Sequence, residues 1–390
     1  MRITLRTVLA GLAVALAVAA VLLFGISLSH GLVGALAALD KGSEEHFIPA
    51  DLSELARLLR QGSALLLCAA AVAGLAIRLR WFEGGVNWRP VNNALWTLVC
   101  SGLLLWYLSR LSYDAPWYKL GVLIEGSETL EVFSRRLLFI WPARWLHQAA
   151  PGLSDLRVYW IVQAPIILVT MMLVRKWSEL FIEESRAFLG QVLTVFLLAP
   201  MFSYYTFYDV AIVAFYTAGL LALWKRAYIW FALAVGVGAL NHENTLLLVF
   251  VAAVCLWGES RKTLTRALGF SLAAWLMARV VMTLAVPMRA TVHFRILTNL
   301  WELLHAPGAM AFTAMAWLPL VLLTVLGWKA APRMVRQMAV LAIPLLAVTY
   351  LFGKFREARQ VDAYIPVAVA FGLCGLQRLN FSSDNMRVNQ

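Results

Sequence analysis

Long apolar runs recur from one end of the chain to the other, broken by short polar connections. Runs of about 18 or more apolar residues are what a helix needs to cross a bilayer. The pattern places spans at 8–29, 61–79, 93–112, 157–174, 187–203, 209–224, 227–241, 244–257, 266–286, 309–327, 338–352 and 363–377. The apolar positions are continuous rather than alternating, which excludes a barrel. Helices also satisfy their own backbone in lipid. The expected fold is therefore all-α: a polytopic integral membrane helical bundle of about twelve transmembrane helices. No internal repeat, low-complexity tract or soluble domain is visible. Two spans are short, and between them lies "NHEN" (Asn241, His242, Glu243, Asn244), four polar residues inside otherwise hydrocarbon-like sequence.

Composition agrees with this pattern. Of 390 residues 62% are hydrophobic and only 14% charged, and the mean hydropathy is +0.77. The first apolar run follows Arg2 and Arg6 but exceeds the roughly 7–15 residues of a signal-peptide core, so it reads as a retained span. The cysteines at 68, 100, 255 and 374 lie in or beside apolar runs and form no CxxC, so they read as small buried hydrophobes. A net charge of +12 suits cytoplasmic loops against anionic lipid. No nucleic-acid motif is present.

Lys and Arg in short loops set the orientation. One face holds Arg78, Arg80, Arg89, Arg175, Lys176, Arg186, Lys225, Arg226, Arg261, Lys262, Lys329, Arg333, Arg336 and Arg378 in short, plain connections. That face is expected to be cytoplasmic, along with both termini. The opposite face carries "SYDAPWYKL", a long segment reaching about residue 156, "SYYTFYDV", "NHEN", "PMRATVHFRILTNLWELLH" and "FGKFREARQVD". It is also basic, through Arg135, Arg136, Arg289, Arg295, Lys354, Arg356 and Arg359. Cations kept on the outer side point to an anionic ligand there. Within 113–156, "ETLEVFSRRLLFIWPARWLHQ" mixes apolar residues with Arg in the manner of an interfacial helix.

Each candidate residue has a plainer reading beside it. Asp114, in "YDAPWY", fits a general base for a bound hydroxyl or a helix-ending turn. Tyr113, Trp117 and Tyr118 fit a sugar-stacking wall or an interfacial aromatic belt. Arg135 and Arg136 fit a fork on phosphate oxygens or contacts with lipid headgroups. Lys354, Arg356 and Arg359, close to Glu357 and Asp362, pose the same choice, but so dense a cluster is harder to assign to snorkelling. Asp209 opens a span in "FYDV". Arg279 lies inside a span, where an arginine needs a partner or a cavity; Glu243 is one candidate partner. "NHEN" is a poor transition-metal site, because adjacent helical residues point about 100° apart. A polar knot that caps two short helices and fixes a ligand group suits Asn241, His242 and Glu243 better. His293 and His305 read as loop histidines, with acid/base work the second option.

Taken in order, "YDAPWY", "FSRRLLFIWPARWL", "FYDV", "LNHENTLLL" and "FREARQ" resemble the GT-C superfamily of membrane glycosyltransferases, in particular its bacterial members. Those have Tyr-Asp-Gly after an early span, a Tyr-Arg-Arg-Ile-Leu-like stretch, an Asn-Arg-Glu-Thr-like hairpin and a late Arg-Glu. The likeness covers residues 93–378. It divides the chain into an N-terminal helix pair with its loops, 1–92, and a catalytic core, 93–390. Two positions depart from the pattern: Ala115 stands where Gly is usual, and His242 where Arg is usual. The resemblance implies sugar transfer from a polyprenyl-phosphate or diphosphate donor, on the extracytoplasmic face of a bacterial inner membrane, to an envelope glycan, lipid or protein. It implies Asp114 as base in an inverting transfer, with Glu243 as the hairpin acid. Arg135, Arg136, Arg356, Arg359 and Lys354 would surround the phosphate. Tyr113, Trp117, Tyr118, Asp209, Asn241, His242, Arg279, His293, Arg295 and Glu357 would line the cavity. No cofactor is expected, although a divalent ion bridging acidic residues and a diphosphate stays open. The expected partners are the lipid-linked sugar and the bilayer, with no nucleic acid. A transporter or flippase of lipid-linked glycan, or an envelope acyltransferase or ligase, is the rival reading. The first should show matching broken helices in two halves, and the second should centre on a histidine.

Overall fold

A computed structural model describes residues 89–110, 136–199, 208–285, 294–305, 307–354 and 357–388. The spans expected at 8–29 and 61–79 lie outside these residues. Among those described the chain is all helix, with no strand. The helices are α1 (Arg89–Arg110), α2 (Leu137–Ala149), α3 (Asp155–Ser178), α4 (Phe188–Leu198), α5 (Asp209–Trp224) and α6 (Tyr228–Ala239). They continue as α7 (Leu246–Cys255), α8 (Arg261–Ala285), α9 (Ile296–His305), α10 (Pro307–Gly327), α11 (Arg333–Met338), α12 (Ala342–Phe352) and α13 (Ile365–Val388). A 3-10 turn at Glu243–Thr245 precedes α7, and a longer 3-10 segment, Ala358–Tyr364, precedes α13.

Among the described residues three helical stretches are long and apolar enough to cross a membrane: Asp155–Ser178, Arg261–Ala285 and Arg333–Phe352. That marks a membrane protein. The exposed positions of α8 and α10 are apolar in the same sense, Leu276, Met277, Val280 and Leu284 on one and Leu318, Val321 and Val325 on the other. Inside the bundle, hydroxyl side chains bond the carbonyl four residues back, as Thr194 does to Gly190 and Thr217 to Val213. Those two hydroxyls are thereby satisfied without leaving their helices.

The helices pack as a row, α1 against α3, α3 against α5, α5 against α6 and α6 against α8, with α4 lying on α1, α3 and α13. α5 is apolar all round and buried on nearly every position from Asp209 to Leu223, so it forms the centre of the row. α13 packs along α10, and the Trp177 indole on α3 donates to the Pro366 carbonyl at 2.8 Å, pinning the first turn of α13. Asn299 on α9 donates to the carbonyls of Tyr350 and Gly353 at 2.7 and 2.9 Å. These are carbonyls that the end of α12 leaves without helical partners. That clamp fixes where the segment carrying Glu357 and Arg359 begins.

The α10–α13 contact depends on a missing side chain. A Cβ at Gly327 would run into the Phe371 carbonyl oxygen, which is backbone and has nowhere to move. At Gly102 on α1 a Cβ would meet nothing within 4 Å. Gly327→Ala should therefore lower the thermal unfolding midpoint in detergent or cost the protein its folded yield. Gly102→Ala should leave the midpoint unchanged or raise it slightly, and equal losses from both would show that α10 and α13 are not in this contact.

Candidate functional site

The polar knot forms where α5, α6, α2 and the Ala358–Tyr364 segment meet. At the end of α6 the amides of Asn241 and His242 both bond the Gly238 carbonyl, at 2.9 and 2.8 Å, and the chain turns. Gly238 permits this, since a Cβ there would stand 2.8 Å from the Thr245 Cγ2 and 3.0 Å from Phe215. His242 is extended, and its Nδ1 accepts the Asn244 amide at 3.2 Å, capping the next turn. The accepting Nδ1 has no hydrogen, so the hydrogen bond assigns the proton to Nε2. The hairpin is then tied on three sides. Tyr216 donates to the Asn244 carbonyl at 2.5 Å, the Asn241 amide nitrogen to Tyr208 O at 3.2 Å, and Trp275 to Glu243 O at 3.1 Å.

α2 docks on this turn. The Leu137 amide donates to Leu240 O at 3.1 Å, and the Arg136 guanidinium donates to Asn241 O at 2.9 Å and to Glu243 Oε2 at 2.8 Å. Arg279, from inside α8, lies 3.7 Å from the same Glu243 oxygen. Arg136 also sits 4.7 Å from the centre of the Tyr208 ring. Arg359 approaches that ring too, at 5.5 Å, and donates to the Tyr208 hydroxyl at 2.8 Å. The same nitrogen donates to Asp209 Oδ1 at 3.2 Å, and the other two hold Glu357 Oε2, at 2.9 and 3.1 Å. Gln360 adds a bond to Glu357 at 2.9 Å. Residues separated by more than 200 positions thus share one connected network.

This knot is buried except at one edge. Arg136, Asp209, Glu357, Arg359 and Asp362 are all less than a tenth exposed, whereas the Glu243 side chain is 48% exposed. Burial disfavours the charge on Glu243, but the Arg136 guanidinium outweighs it and holds the carboxyl well below the usual carboxylate range. Burial and the Arg136 charge together push His242 down to about 3, so the ring is neutral at physiological pH. Burial and then Asp209 push the Asp362 carboxyl up. Beside Asp209 and Asp362 lies a cavity of about 20 Å³, lined also by Tyr208, His242, Asn244 and Arg359. That is room for a water-sized group.

Of the residues singled out in the sequence, the structure gathers Arg136, Asp209, Asn241, His242, Glu243, Arg279, Glu357 and Arg359. Arg136 and Arg359, expected around a phosphate, are each bound to carboxylates. Arg295 and Lys354 take part in neighbouring structure through their backbones. The Arg295 amide bonds the Leu351 carbonyl at 2.8 Å, and the Lys354 carbonyl accepts the Glu357 amide at 3.0 Å. Asp114, Tyr113, Trp117, Tyr118, Arg135, His293 and Arg356 lie outside the described residues. Among the described residues no three His, Cys, Asp or Glu side chains gather as a metal site would require. Tyr208, the hub of both arginines, and Asp362 were not singled out as site residues. A signal for Asp362 does exist: Arg359 and Asp362 are three apart on a 3-10 segment, where such residues share a face. No protein-family model, curated protein or solved structure matches the chain.

Two expectations follow from the knot. Arg359→Met would leave Glu357 and Asp209 buried without a counter-charge, an imbalance worth about 3–5 kcal/mol. Arg136→Met should cost much less, because Glu243 is half exposed and keeps Arg279. The two unfolding midpoints, measured side by side in the same detergent, decide this, and equal losses would contradict it. The second concerns pH. The folded His242 binds its proton far less readily than an unfolded histidine with a pKa of 6.5. The stability it contributes is therefore full above about pH 6.5 and is lost as pH falls toward 3. Glu243, also depressed, adds a loss in the same direction below the ordinary carboxylate range. His242→Asn keeps an acceptor for the Asn244 amide and removes the titration, so its midpoint should fall less than wild type between pH 7 and 5. A parallel decline would remove His242 as the cause.

Proposed function

We propose that the protein is a membrane glycosyltransferase of GT-C type. It moves a sugar from a polyprenyl-phosphate or diphosphate donor to an envelope acceptor on the extracytoplasmic side of a bacterial inner membrane. One observation carries the reading. The second arginine of "FSRR", the Tyr-Asp of "FYDV", "NHEN" and the tail of "FREARQ" contribute to a single buried network, although nothing in their sequence spacing requires them to meet. The orientation, with about twelve spans and both termini cytoplasmic, belongs to the same proposal.

In this mechanism Asp114 takes the proton from the acceptor hydroxyl as that oxygen attacks the anomeric carbon, and the lipid phosphate leaves. Cations must meet the phosphate as its charge develops. Arg135, Arg356 and Lys354 take that part. Arg136 and Arg359 act one step back, as positioning residues: they neutralise Glu243, Glu357 and Asp209 and keep the wall of the cavity in place. Glu243, half exposed and ionised, presents its free edge to the substrate space.

The test is a transfer assay in lipid, following release of polyprenyl phosphate from polyprenyl-phosphate sugars with a mixed acceptor fraction from bacterial envelopes. Wild type should release it. Asp114→Asn should lower the rate by about 100-fold or more, within the range for a lost general base, with donor binding retained. Full activity in both Asp114→Asn and Arg356→Ala would end the assignment. Donor binding without turnover under every acceptor condition would favour transport.

A further inference from the structure

The cavity beside Asp209 and Asp362 is oddly furnished for a phosphate site. Asp362 is 1% exposed, and neither of its carboxyl oxygens has a hydrogen-bond partner among the described residues. Asp209 uses one oxygen on Arg359 and leaves Oδ2 unpartnered, and the Asn244 side-chain oxygen is unpartnered as well. All four atoms are buried oxygens on residues that line the same small space. Buried polar groups left unsatisfied are costly, and the cost is greatest in a bundle surrounded by lipid. The cation in the wall, Arg359, already serves Glu357, Asp209 and Tyr208. An anion placed here would face the Asp209 and Asp362 carboxyl groups and one guanidinium that Asp209 and Glu357 already engage.

We propose that this cavity receives one hydroxyl of the donor sugar, facing Asp362 and Asp209, and that the donor's phosphate is held elsewhere on the same face. The assignment rests on the glycosyl-transfer reading and divides the donor between two regions of the site. A hydroxyl suits the cavity for three reasons. It supplies the donor that four oxygens lack. It carries no charge against the acidic wall. It can also accept from Asp362 when that group is protonated. At about 20 Å³ the cavity has room for a single hydroxyl reaching in from a ring held at its mouth, and none for a phosphate group.

Binding measurements on the full chain in lipid nanodiscs test this, with three probes: a short isoprenyl phosphate, the same lipid phosphate carrying a hexose (glucose, galactose or mannose), and the corresponding methyl hexosides. Wild type should bind one hexosyl lipid more tightly than the bare lipid phosphate. Asp362→Asn should weaken that ligand by about fivefold or more, the loss expected for one accepted hydrogen bond, and leave the bare phosphate within about twofold. Asp362→Ser should do the same. Asp362 makes no hydrogen bond within the described residues, so both variants should unfold at or above the wild-type midpoint. A lower midpoint would make the carboxyl structural and overturn the proposal. So would equal weakening of bare and hexosyl lipid, or a wild type that prefers no hexosyl lipid and binds no methyl hexoside. If wild type binds methyl hexosides through Asp362 but no isoprenyl phosphate, the glycosyl-transfer reading fails and the sugar subsite stands.

Discussion

The Arg359 guanidinium is the point on which this end of the bundle depends. It is a full charge buried among helices, and it is tolerable only because its partners converge on it: Glu357 from its own segment, and Asp209 and Tyr208 from the start of α5. Each partner belongs to a backbone element that must then stay in register. α5 cannot slide along α3 without carrying Asp209 away. The segment before α13 cannot shift without losing Glu357. Tyr208 passes the constraint on, since its ring lies against Arg136, and Arg136 holds the hairpin. Buried ion pairs add little net stability relative to apolar packing, but breaking one is expensive. Such a group favours one arrangement of the helices over near alternatives.

Much of the architecture was readable because apolar runs are bounded by charges. The run 209–224 coincides with α5, since Asp209 closes it on one side and Lys225 with Arg226 on the other. The run 338–352 begins late. The helical stretch starts at Arg333, whose turn is basic and so did not count as apolar, although it continues into α12 without a break in the chain's helical course. The run 363–377 ends early for a similar reason, because α13 carries on through a polar tail to Val388. Hydropathy reports where a helix is greasy, while the backbone continues wherever nothing stops it.

The site was legible as a set of motifs and not as a set of pairs. Sequence spacing drew attention to Arg136, Glu243, Glu357 and Arg359. Which acid meets which base depends on where helices cross, and no local signal encodes that. Arg359 and Asp209 are 150 positions apart. The consequence is chemical: two arginines that look available to an anion in the sequence are bound to carboxylates in the fold. Tyr208 escaped notice because an aromatic residue at a span boundary ordinarily reads as an interfacial anchor.

α6 and α7 have 12 and 10 residues, or about 18 and 15 Å at 1.5 Å per residue. The hydrocarbon of a bilayer is about 30 Å thick. In the proposed bilayer setting the turn between them therefore reverses well before the far surface, while the neighbouring α8 is long enough to continue. The knot is consequently recessed, floored by a hairpin and walled by longer helices. A molecule anchored in the membrane by its own lipid tail could reach such a recess sideways, at the depth where it already resides. A soluble molecule would have to descend into it. The short hairpin thus makes the route of approach unequal for the two kinds of reactant, and it does so by the length of two helices alone.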